Sequence, residues 1–308
     1  MRSDTEWFRD ARWGVFTHYL TGKETTAEDW NDRVDRFDVA GLTQQLVSIG
    51  TAYYFITIGQ NSGHYCSPNA TYDSFVGIQP GKCSGRDLIG DLYDALSTNG
   101  IKLMVYLPSG APAADPVAME KLGWEWGFRG GWPTWNTERT NERLADFQKK
   151  WEAIIREWSL RWGKTVCGWW IDGCYFADEM YRYPDPPNFK SLAAALKSGN
   201  PDSIVAFNPG VKVPVISMTE HEDFTAGEIS ENLPPCPGRW IDGAQYHILS
   251  YLGARWGSGE PRFADEFVIK YTRDVNDKGG VVTWDVPITV GGLIPQPFVD
   301  QLTTLREE

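Results

Sequence analysis

Histidine is scarce in this chain: four in 308 residues, at His18, His64, His221 and His247. Scattered histidines argue against a zinc hydrolase, which needs pairs at close spacing. His221-Glu222-Asp223 is the one cluster that could take a cation, and it reads more readily as a solvated loop. The five cysteines (Cys66, Cys83, Cys167, Cys174 and Cys236) leave at least one unpaired and show no CxxC spacing, which speaks against a metal cluster or a disulfide framework. The one pairing left open is Cys66 with Cys83. Basic residues are outnumbered, 29 Lys and Arg against 41 Asp and Glu, for a net charge of -12. Nucleic acid and anionic membrane, which both need basic patches, are therefore not expected partners. No apolar run is long enough to span a bilayer. Met1 to Glu6 has no signal-peptide core, so the expected compartment is cytoplasmic, or periplasmic or secreted if an export signal has been trimmed. GxGxxG, Walker and GxSxG patterns are missing, and Ser84 and Ser109 lack any neighbouring motif. No cofactor and no resident metal are expected.

Aromatic residues are plentiful instead. Fifteen tryptophans, several inside Trp124-Glu125-Trp126 and Trp132-Pro133-Thr134-Trp135, exceed what a core of this size needs. A flat apolar face with a polar edge suits a sugar ring, which nominates Trp126 and Trp135 as platforms. Packing between a scaffold and its loops would use the same residues.

The pattern along the chain alternates β and α. Strands are predicted at Gly14–His18, Tyr53–Thr57, Lys102–Leu107, Gly168–Asp172, Ser203–Phe207 and Gly280–Trp284. Two fainter ones are expected near Phe224–Glu228 and Ala254–Trp256. Helices are predicted from Asp38 to Ile49, Asp87 to Leu96, about Asn141 to Trp162, Asn188 to Lys197 and Ala264 to Asp277. Eight βα units in this length predict a (β/α)8 TIM-like barrel, one catalytic domain over residues 1–308. A doubly wound sheet is the alternative, weakened by the missing glycine fingerprint.

In a barrel, reacting groups sit at the C-terminal ends of strands. Gly168-Trp169-Trp170-Ile171-Asp172-Gly173 is a buried apolar run delivering a carboxylate to such an end. An Asp-Gly pair there can equally cap a turn. Other strand ends supply His18, Gln60 and Asn61, Asn208, Glu228 and Asp285. Two carboxylates suffice to cleave a glycosidic bond, one attacking the anomeric carbon and the other protonating the leaving oxygen. Asp172 is the candidate nucleophile. The acid falls in a crowded neighbourhood of Glu220, Glu222, Asp223, Glu228 and Glu231.

Several segments in order resemble the family 29 glycoside hydrolases, the α-L-fucosidases. Trp7-Phe8-Arg9-Asp10-Ala11-Arg12-Trp13-Gly14-Val15-Phe16-Thr17-His18 is similar to that family's opening "WFRDAKFGIFIHWG". Trp170-Ile171-Asp172-Gly173 resembles "WFDG", Asp223 to Glu228 resembles "DFxTPE", and Val281 to Ile294 resembles the last barrel strand with its tail. The resemblance implies a retaining mechanism through a glycosyl-enzyme on Asp172. It also implies a sugar pocket lined by His18 and Trp170, and a sugar contact at Asp29-Trp30, where the family has "EWY". Glu228 is the acid/base it favours, with Glu231 and Glu222 behind. The family's "KHHDG" loop reads Gly59-Gln60-Asn61-Ser62-Gly63, followed by His64, so amides stand where two histidines hold fucose hydroxyls. The chain is also expected to lack the family's C-terminal β-sandwich.

The expected activity is that of a retaining exo-glycosidase, α-L-fucosidase-like, acting on an oligosaccharide or glycoside. Its expected substrate contacts are His18, Asp29, Trp30, Gln60, Asn61, His64, Trp170 and Asn208. A glycosidase for another sugar and a carbohydrate-binding pseudoenzyme on the same scaffold are the alternatives.

Overall fold

The computed structural model describes residues 2–125 and 143–306. Nine strands are assigned among them: β1 Trp13–Thr17, β2 Tyr53–Thr57, β3 Lys102–Pro108, β4 Val166–Asp172, β5 Ile204–Phe207, β6 Trp240–Ile241, β7 Ala244–Gln245, β8 His247–Tyr251 and β9 Val281–Val286. Seven form one all-parallel sheet in the order β5-β4-β3-β2-β1-β9-β8, and β6 and β7 make a small hairpin. An α/β fold with a parallel sheet is what the alternating pattern predicts.

Strand-end and helix-end chemistry explains where elements start. Asp38, Asp87 and Asn188 each accept a backbone N–H three residues on and so cap the helices Val39–Ile49, Leu88–Ser97 and Phe189–Leu196. Gly50 closes the first of these in the left-handed conformation. The sequence pattern starts these three helices at their capping residues, one position before the first helical one.

The sheet packs two cores, divided by strand parity. On β2, Tyr54 and Ile56 face the helix layer with Leu42, Leu46, Leu92 and Ile155. Tyr53 and Phe55 face the other way, into a cluster with Phe8, Phe16, Met104, Tyr106, Trp170 and Phe224. Near-continuous burial on both faces is why these strands read as apolar runs rather than alternating ones.

Two expectations fail here. The seventh strand is not Ala254–Trp256 but β8, His247–Tyr251. Its sequence, His-Ile-Leu-Ser-Tyr, hides burial behind polar residues that are satisfied internally. His247 bonds Thr225 O at 3.0 Å and Thr283 Oγ1 at 2.7 Å, and Ser250 donates to Ile229 O at 2.6 Å. The segment Phe224–Glu228, expected as the sixth strand, forms no ladder. It makes single bridges, Phe224 with Gln245 and Glu228 with Leu249, while Asp223 N donates to Val205 O at 2.8 Å. It thus spans the gap between edge strands β5 and β8 without adding an eighth regular strand. Cys66 and Cys83, the one open pairing, are both free thiols.

Gly227 permits the close approach of that segment. Its φ is +61°, and a Cβ there would lie 1.9 Å from His247 O. The left-handed conformation alone costs a non-glycine residue about 1–2 kcal/mol, and the collision forces the segment off β8. Gly227→Ala is therefore expected to lower stability by at least about 2 kcal/mol, read as a fall in the urea midpoint. An unchanged midpoint would show that the segment is not held against β8.

Candidate active site

The parity that sorts the cores also aims the site. Asp172 follows Trp170 by two residues on β4, and Trp170 belongs to the inner cluster, so Asp172 opens onto the same side. The same count from Phe16 and Ala206 brings His18 and Asn208 there, and Glu228 reaches it from the irregular segment that holds inward Ala226. A cavity of about 270 Å³ opens at this end of the sheet, lined by Phe16, His18, Leu20, Gln60, Tyr106, Trp170, Asp172, Glu228, Leu249 and Trp256.

Asp172 is held by four donors. Oδ1 accepts from Gly173 N at 2.7 Å, Asn208 Nδ2 at 2.8 Å and Tyr175 OH at 3.2 Å, and Oδ2 accepts from Tyr106 OH at 2.6 Å. Burial, and then the neighbouring Asp172 charge, push both phenols far above the ordinary tyrosine value, so they remain donors. Gln60 Nε2 donates in turn to Tyr106 OH at 2.5 Å.

Glu228 faces Asp172 across one amide group. Asn208 Nδ2 donates to Glu228 Oε2 at 2.6 Å as well as to Asp172 Oδ1, so those oxygens lie no farther apart than the two bonds laid end to end. Burial first, then the Asp172 charge, push the Glu228 carboxyl up to about 7. Near neutrality this group can carry a proton.

The rival acids are placed elsewhere. Glu220 and Glu231 are exposed. Asp223 is buried in an ion pair with Lys197 at 2.6 Å and also accepts from Val205 N. Glu222 is buried against backbone, accepting from Met218 N at 2.6 Å and Phe207 N at 3.3 Å. Of the five, only Glu228 lines the cavity.

The expected sugar contacts divide. His18, Gln60 and Trp170 line the cavity. His18 Nδ1 pairs with Asp285 Oδ1 at 2.8 Å, and Asp285 Oδ2 accepts from Gly257 N at 2.6 Å, leaving Nε2 as the nitrogen free to meet a ligand. Trp170 donates its N–H to Ala226 O at 2.9 Å and stacks on Tyr106, so it offers only an aromatic surface. Asn208 is fully buried and spends its amide on the two carboxylates rather than on the cavity. Asp29 and Trp30 are not brought to the site. Asp29 is exposed in the first turn of the helix Ala27–Asp35, and Trp30 is buried, donating to Tyr65 O at 2.9 Å. His64 is buried beside the Trp30 ring and pushed down to about 4, mainly by burial, and lies outside the cavity lining. Asn61 is exposed on an adjoining compartment. Trp126 and Trp135 lie outside the described residues; Trp124 packs on Phe147 in the core.

Sequence reasoning missed Tyr106, Tyr175 and Trp256 as site residues. Tyr106 carried a usable signal, being two residues after inward Met104 and next to the end of a strand. Tyr175 and Trp256 sit on loops, where no periodicity announces direction.

No protein-family model and no curated protein matches the chain. Solved structures do. An α-L-fucosidase studied as a fucosyltransferase mutant superposes with TM-score 0.68 at 16% identity, covering 98% of this chain and 96% of that one. An endo-fucoidan hydrolase from glycoside hydrolase family 107 gives 0.71 at 18%, covering 98% and 53%. A family 29 α-L-fucosidase from Bacteroides thetaiotaomicron, trapped as a covalent intermediate, gives 0.65 at 16%, covering 99% and 74%. This chain has the fold of those fucosidases and fucoidan hydrolases. The fucosidase-like fold agrees with the motifs at Trp7–His18, which spans the helix Glu6–Ala11 and β1, and at Trp170–Gly173, which closes β4.

The pH dependence of stability follows from Glu222, pushed up to about 8 mainly by burial. Its unfolded form ionises near 4.5, so the folded state gains full advantage below that pH and loses it as pH rises toward about 8. The denaturation midpoint is expected to fall across this window, and Glu222→Gln to flatten the fall. A slope unaltered by Glu222→Gln would contradict the burial assigned to this carboxyl.

Proposed function

We propose that this protein is a retaining glycoside hydrolase acting on α-L-fucosyl linkages, with residues 1–308 as one catalytic domain on a barrel-like scaffold. The observation that carries the proposal is the Asn208 amide shared between Asp172 and Glu228. It holds two carboxyl oxygens within the ~5–5.5 Å typical of retaining pairs, short of the ~6.5–9.5 Å that inverting pairs need for an intervening water.

In the first step an Asp172 oxygen attacks the anomeric carbon as the glycosidic C–O bond breaks. The Glu228 proton passes to the departing oxygen. In the second step Glu228, now a carboxylate, takes a proton from water, whose oxygen attacks the anomeric carbon and releases Asp172. The roles follow from environment. Four donors stabilise the charge on Asp172, whereas Glu228 has a raised affinity for its proton. Fucose suits the lining because its methyl group can lie against Phe16, Leu20, Leu249 or Trp256, while His18 and Gln60 meet hydroxyls. The fold shared with fucosidases supports the same sugar.

Asp172→Ala is expected to keep its circular dichroism spectrum and to lose kcat/KM on an aryl α-L-fucoside by at least about 10⁴-fold, with azide restoring part of the rate. An unchanged rate removes the mechanism. Because the acid must be protonated, kcat/KM should decline above about pH 7, and Glu228→Gln should abolish that limb. It should also cost about 10²–10⁴-fold on substrates with poor leaving groups. A Glu228→Gln variant that keeps the wild-type pH profile would transfer the acid role to another group.

A further inference from the structure

The cavity has a neighbour. A compartment of about 270 Å³ is lined by Leu20, Thr21, Gly22, Lys23, Gln60, Asn61, Ser62 and Ala114, and it shares Leu20 and Gln60 with the catalytic cavity. Its walls are fixed rather than loose. Thr21 Oγ1 bonds Thr25 Oγ1 at 2.5 Å and accepts from Arg33 Nη1 at 2.9 Å. Asn61 O accepts from Ala114 N at 2.8 Å, and the shared Gln60 is bonded to Tyr106. Hydroxyl, amide and ammonium groups at Thr21, Ser62, Asn61 and Lys23 beside the apolar Leu20 and Ala114 make a surface suited to a sugar.

The order of the strands says which side of the scissile bond this compartment serves. Gln60 and Asn61 follow β2, and Leu20 to Lys23 follow β1. Glu228 sits in the segment between β5 and β8. From that segment, β2 is reached fourth through β5, β4 and β3, and fourth again through β8, β9 and β1. The compartment therefore opens across the cavity from Glu228. On the reading above, Glu228 stands beside the departing oxygen, so a unit bound on the far side is attached to the retained sugar and not to the leaving group.

We propose that this compartment is a second sugar subsite on the glycone side, holding a residue joined to a hydroxyl of the bound fucosyl unit. The protein then cleaves within a fucose-containing chain instead of only removing a terminal unit, which departs from the exo-action expected from sequence. The assignment of the side rests on the proposed role of Glu228; the existence of the subsite does not.

Calorimetry on the Asp172→Ala variant tests it without turnover, comparing L-fucose with α-linked difucosides of each linkage. At least one difucoside should bind about tenfold more tightly than fucose, and Gly22→Trp in the same background should remove that preference. Gly22 lines the compartment and a Cβ on it meets nothing within 4 Å, so a larger side chain is accommodated there without displacing neighbours. Asn61→Ala should reduce the preference in the same direction. Equal affinity for fucose and every difucoside, or a preference that survives Gly22→Trp, overturns the subsite. Hydrolysis of an aryl α-L-fucoside by the wild type, measured alongside, reports separately on the catalytic reading. A preference that appears only for chains extended on the aglycone side overturns the glycone-side assignment.

Discussion

One amide nitrogen organises this cavity. Asn208 Nδ2 carries two hydrogens and directs one to Asp172 and the other to Glu228. Two half-buried carboxyls this close cannot both be ionised cheaply, so one must hold a proton more firmly than usual. The asymmetry comes from the other donors. Asp172 collects a backbone N–H and two phenols besides the amide, whereas half-buried Glu228 accepts from Asn208. The amide itself cannot drift, because Asn208 Oδ1 accepts from Gly210 N, and its backbone bonds Ile171 O and Cys174 N. Rigid placement of that kind would hold the proposed acid and nucleophile in position without reorganisation during a reaction.

Strand parity supplies the rest of the geometry. Each inward cluster residue near a strand end sets the direction of the residue two positions later, and the sheet gathers those directions into one opening. His18, Tyr106, Asp172 and Asn208 reach the site this way although they come from the ends of four different strands. Glu228 reaches it from a segment without a regular ladder. The irregular stretch between β5 and β8 is held by bridges and by the close approach at Gly227. The chain here trades regular pairing for a carboxyl turned inward.

How much of this was legible in the sequence depended on whether a residue's direction was set by local periodicity. The strands around Trp170 and Tyr54 read correctly because they are buried on both faces and consist of apolar runs. β8 did not, because His247 and Ser250 find their partners on distant segments that no local pattern reveals. Strand ends nominate Asp172, His18 and Gln60, and all three line the cavity. The residues alone left five neighbouring acids open and only the family resemblance favoured Glu228, since burial of Glu222, pairing of Asp223 with Lys197 and exposure of Glu220 and Glu231 are all tertiary facts. Asn208 was recognised as a site residue but as a sugar contact, when its amide is consumed by the carboxyls. Asp29 and Trp30, taken from motif resemblance, fall on a helix whose buried face packs into the core instead of opening on the cavity.

The central claim is a covalent bond between Asp172 and the anomeric carbon. Incubation with 2-fluoro-fucosyl fluoride, in which the fluorine slows release of the intermediate, followed by peptide mass spectrometry, tests it most directly. The account predicts a single fluorofucosyl adduct on the peptide containing Asp172, absent from Asp172→Ala. An adduct on another carboxylate, or fluoride release with no adduct at all, would contradict it.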